Sequence, residues 1–110
     1  MIKQPVLGFI AGFLCLGMGF WQGGQWFLAH GALMVAGGLV PLLCLFHVHA
    51  LRRFANATFD DGRLNLVLWG VLAASGVLAG GILASNAWVA TVGLTLGFVA
   101  TVEYVHVVLP

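Results

Sequence analysis

Charge is nearly missing from this chain. Only 6% of its 110 residues are Asp, Glu, Lys or Arg, where a soluble domain carries about 25%. With 62% hydrophobic residues, a water-soluble fold would have too little polar surface to stay dispersed. The few charges are also segregated: Lys3, then Arg52 to Arg63, then Glu103, with long uncharged runs between. A net charge of +1 implies no nucleic-acid partner. Cysteine is scarce too. Cys15 and Cys44 each lie inside an apolar run and form no CxxC pair, so neither a thiol-redox motif nor a zinc knuckle is indicated. No small-x-small cleavage site follows the first apolar segment before Gln22, so that segment reads as a retained span. No internal repeat is evident.

What is present is apolar length. The apolar runs are Pro5–Trp21, Trp26–Ala50, Leu64–Ala84 and Ala87–Leu109, the last holding Glu103. Each is close to the roughly 20 residues that cross hydrocarbon as a helix. The expected fold is therefore an all-α integral membrane protein. One domain, residues 1–110, would hold four transmembrane helices in two hairpins, spanning about 5–21, 26–50, 64–84 and 87–109. The breaks are Gln22-Gly23-Gly24-Gln25, the polar stretch Arg52–Arg63 and Ser85-Asn86. Lys3, Arg52, Arg53 and Arg63 all fall on one side of this arrangement. The positive-inside bias then puts both termini and the middle loop in the cytoplasm, with a bacterial inner membrane as the expected location. Trp21, Trp26 and Trp88 flank the two outer turns, where an aromatic belt sits.

Glycine is abundant, with 16 residues. Gly8/Gly12, Gly76/Gly80 and Gly93/Gly97 are GxxxG pairs, which let helix backbones approach closely in a membrane. The packing they serve is either within the chain or between chains. Pro41, deep in the second span, removes one backbone donor and predicts a kink. The carbonyl it frees lies one turn back at Gly37, beside Gly38.

The second span carries three of the four histidines: His30 near its outer end, His47 and His49 near its inner end. At 1.5 Å per residue, His30 and His47 are roughly 26 Å apart along the axis. They cannot share a metal, so two sites are in question. At the outer site, Met34 follows His30 by one turn, and Met18 lies at similar depth on the first span. His and Met suit the axial positions of a b-type haem, and imidazole binds iron and copper generally. The alternative is a histidine held near the headgroups by water or by Gln22 or Gln25. At the inner site, His47 and His49 face different ways, about 200° apart. On the fourth span Glu103 and His106 share a face, with Tyr104 beside them. Glu-x-x-His is the ligand spacing of carboxylate metal sites in helical bundles, so His47, His49, Glu103 and His106 are candidate metal ligands. Glu103 could equally pair with His106 or His49, reach toward Arg52, or handle protons. Asp60-Asp61-Gly62 reads as a turn.

His30-Gly31-x-x-Met34, with Pro41 later in the same span, resembles the second helix of the haem-copper oxidase catalytic subunit. That resemblance implies His30 as a haem ligand near the outer face. It covers about a dozen residues. The distant second haem ligand and the copper histidine cluster have no counterpart here, so oxygen reduction is not implied. Cys44-Leu45-Phe46-His47 also looks like the small fourth subunit of such oxidases. Small multidrug transporters are similar in size, but they carry their essential acid in the first span, where this chain has none.

Three functions are therefore expected in turn. The first is a small haem- or metal-binding subunit of a respiratory or redox membrane complex. The second is a structural or assembly subunit. The third is a small proton-coupled homodimeric transporter using Glu103 and His106. In each, the partners are membrane lipid and either other membrane subunits or further copies of the chain.

Overall fold

The computed structural model describes residues 3–109; residues 1, 2 and 110 of the expected 1–110 domain lie outside that range. Four helices follow one another: α1 (Lys3–Gln22), α2 (Gln25–Phe54), α3 (Asp61–Leu83) and α4 (Ala87–Val108). No strand occurs among the described residues. All four helices are long and apolar enough to cross a membrane. The Cα extents are 48 × 25 × 16 Å. The long axis matches a bilayer with its headgroup regions, and the short axis admits two packed helices. The molecule is a flat pair of hairpins rather than a square bundle. One end, the turn end, holds the two short connections. The other, the loop end, holds the chain ends and residues 55–60.

The breaks act through identifiable caps. Gly23 and Gly24 take φ of +78° and +49°, a region open to glycine at no steric cost, and Gly23 N–H closes on the Gly19 carbonyl at 2.7 Å. Asn86 caps α4, its side chain accepting from Trp88 N and Val89 N. Asp60 caps α3 by accepting from Gly62 N at 3.0 Å and Arg63 N at 3.2 Å. The Asp-Asp-Gly stretch therefore begins a helix rather than forming a free turn. The third span starts three residues before the expected Leu64, because an N-cap aspartate satisfies the first backbone donors.

Pro41 produces a widened turn. Leu33–Leu39 is a π-helical segment inside α2, and Val40 N–H bonds the carbonyl five residues back, at Val35. Such bulges absorb a lost backbone bond. The same segment is where α1 crosses. A Cβ on Gly8 would stand 1.9 Å from the Gly37 oxygen, so a Gly8 Cα–H lies directly on that carbonyl. From the far side, the Ser75 hydroxyl of α3 would lie 2.6 Å from a Cβ on Gly37. Three helices thus meet at one glycine.

Among the described residues, α3 packs on α1, α2 and α4, whereas α4 packs chiefly on α3. Only 11% of α4's apolar window is buried, against 28–33% for the others. The α3–α4 pair is tight near the turn end and opens toward the loop end. A Cβ on Gly81 or Gly93 would come within 2.4–2.5 Å of backbone on the other helix. Farther along, a Cβ on Gly97 or Gly70 would meet only an alanine methyl, at 3.8 Å.

Candidate functional site

At the turn end, His30 projects from α2 onto α1. Its Nδ1 lies 2.7 Å from the Gly12 carbonyl oxygen. A carbonyl only accepts, so Nδ1 carries the hydrogen. In the neutral ring, Nε2 then keeps its lone pair. This is the tautomer a metal-bound histidine needs, with its second nitrogen oriented by a backbone carbonyl. The ring is half-buried, with the Phe13 ring 6.5 Å away at 45°. Gly31, beside His30, and Gly17 on α1 have open space where a Cβ would stand.

Met34 sits on the same glycine. Its Sδ and Cγ lie 2.6 Å from where a Gly12 Cβ would be. His30 and Met34 are therefore brought together, one turn apart on one helix and both against Gly12. They cannot clamp the two faces of a haem between them, because α1 occupies that space. Met18 is 39% exposed and stands six residues beyond Gly12 on α1, about 9 Å along the axis. The residues fit a haem or metal on one side only, through His30. A second ligand has to come from outside this pair.

The loop end is organised differently. His47 Nδ1 lies 2.6 Å from the Tyr104 hydroxyl, and that hydroxyl donates to the Cys44 carbonyl at 3.4 Å. The His47 contact is much the shorter of the two, and its direction follows the imidazole tautomer. His49 is exposed on another face of α2. Glu103 Oε2 accepts from Arg63 Nη2 at 3.2 Å, and its other oxygen is 3.9 Å from His106 Nδ1. The carboxylate thus takes Arg63 and His106 rather than Arg52 or His49. Arg52 instead pairs with Asp61 and stacks on Phe59, 5.5 Å from the ring centroid. Among the described residues no group of three or more His, Cys, Asp or Glu side chains could hold a metal ion. His47, His49, Glu103 and His106 are accordingly spread over two helices and separate partners.

Two amide contacts were not singled out from the sequence. Gln4 is 1% exposed and donates to Asn65 Oδ1 at 2.7 Å, tying α1 to α3. Gln25 donates to Ser85 Oγ at 2.6 Å and joins the two turns. A signal existed for the first: Gln4 and Asn65 are amides near the loop end of two otherwise apolar helices, and such groups pair.

The geometry defines a four-helix bundle of membrane-spanning dimensions with one carbonyl-oriented imidazole. Compared with family models, with curated proteins and with solved structures, the chain matches none.

Proposed function

We propose that this chain is a small integral membrane subunit that offers His30 as one ligand to a haem b, or to an iron or copper ion, shared with a neighbouring chain of a redox complex. The reading has the helices in a bacterial inner membrane, with the termini and residues 55–60 in the cytoplasm. The observation that carries it is the His30 Nδ1–H bond to the Gly12 carbonyl at 2.7 Å. That bond fixes the ring and its tautomer and raises the basicity of Nε2. Bound there, a haem would supply one-electron transfer. The chain's own part is to hold the imidazole still in an apolar setting, with Gly31 beside it leaving open space. His30→Ala tests the reading: wild-type protein purified with its partners from haem-replete cells should show a Soret band or bound iron or copper, and the variant should lose it.

A non-catalytic structural or assembly subunit is the second reading. It is favoured by α4, which leaves most of its surface for a neighbour, and by the loop end, where His47 and Glu103 are engaged by protein groups. A proton-coupled transporter draws the least support. Glu103 stands beside Arg63 in the first turns of α3, away from the middle of the span.

A further inference from the structure

Because α3 and α4 separate toward the loop end, a groove of about 280 Å³ opens between them. Leu66, Gly70 and Ala73 of α3 and Leu96 and Val99 of α4 line it. Its floor is low because Gly70 faces only the methyl of Ala100. From Arg63 to Ala73 it runs about 15 Å along the helix axis, the depth of one leaflet. Its mouth, at the loop end, is the Arg63–Glu103 pair, both side chains about half exposed (54% and 48%). The mouth therefore presents a cation and an anion side by side. Arg63 has five N–H donors, and the Glu103 contact uses one of them.

We propose that this groove is a site for a phospholipid with a primary-ammonium zwitterionic headgroup, a phosphatidylethanolamine. One acyl chain lies along Leu66, Gly70 and Ala73. The phosphate bonds the free edge of the Arg63 guanidinium. The ammonium donates to Glu103. The charge pattern selects the class. An anionic headgroup without a cation meets the Glu103 carboxylate, and a choline headgroup has no N–H to donate. A lipid at this position also fills the gap that α4 leaves against α3. The proposal rests on the bilayer placement above and is independent of the haem.

The test is lipid titration of the delipidated protein in detergent, read by native mass spectrometry, with phosphatidylethanolamine, phosphatidylcholine and phosphatidylglycerol of equal chain length. Phosphatidylethanolamine should be retained most strongly. Arg63→Gln should weaken it roughly tenfold, the loss of one charge-assisted contact. Glu103→Gln should reverse the order in favour of phosphatidylglycerol, a gain that misfolding cannot imitate. Ala73→Phe should weaken all three lipids and keep their order. Equal binding of the three lipids, or an ethanolamine preference that survives both Arg63→Gln and Glu103→Gln, overturns the site while leaving the bilayer placement standing. Recovery of the chain in the soluble fraction without lipid would instead remove the placement itself.

Discussion

In the first hairpin, α1 meets α2 where Pro41 has widened the helix, and the Gly8–Gly37 contact has Ser75 of α3 behind it. In the second hairpin the closest approach lies near the turn end, at Gly81 and Gly93, and the helices then part. The two hairpins use the same small residues with different consequences. A contact enclosed by three helices cannot relax, so the first hairpin holds its side chains in place. In the same hairpin, the His30 ring is held by the Gly12 carbonyl of α1. A contact between two helices with one face open can slide, so the second hairpin leaves a groove and an exposed α4. The ligand proposed for His30 lies on the rigid half, and the lipid proposed for the groove on the open half.

The contrast can be broken by substitution. Gly8→Leu should have the largest effect, because its side chain runs into the Gly37 backbone and α3 blocks retreat; we expect a loss of about 3 kcal/mol, the upper end of overpacking costs. Thermal unfolding in detergent would measure it. Gly93→Leu also meets backbone, at Leu78, but α4 can move aside, so about 1–2 kcal/mol is expected by the same measurement. Equal losses in the two variants would remove the distinction between the hairpins. Tyr104→Phe deletes the hydroxyl that links α4 to His47 and Cys44 of α2, and should cost about 0.6 kcal/mol, the average for a hydrogen bond between membrane helices. Cross-linking between cysteines placed in α2 and α4 should then fall. Gly76→Leu should leave the isolated chain unchanged, since a side chain there enters open space. A drop in its assembly with neighbours, with unfolding unaltered, would assign Gly76/Gly80 to contacts between chains.

The four helices were legible in the long apolar runs, and the helix limits fall within a few residues of those runs. Asn86 was legible as a break and Asp60 as a turn. That Asp60 caps α3 depends on its backbone angles (φ −75°, ψ 104°), which residue types do not dictate. Pro41 pointed to a kink, but that the irregularity takes the form of a π-helical turn over Leu33–Leu39 is not dictated by residue types. The partner of Glu103 was hidden for a similar reason. Arg63, Arg52, His49 and His106 all lie near the loop end, and only the rotation of α3 against α4 selects Arg63. His30 was singled out by its spacing from Met34. That Met34 shares its face followed from the same spacing, but the bond to the Gly12 carbonyl and the packing of Met34 on Gly12 required the position of α1.

The most direct measurement of the central claim is the visible spectrum of the chain purified with its neighbours, recorded oxidised and reduced, for wild type and His30→Ala. The account predicts a Soret band, or bound iron or copper, that is present in wild type and lost in the variant while the complex stays assembled. A wild-type complex with neither Soret absorbance nor bound metal, or a band that persists unchanged in His30→Ala, would contradict it.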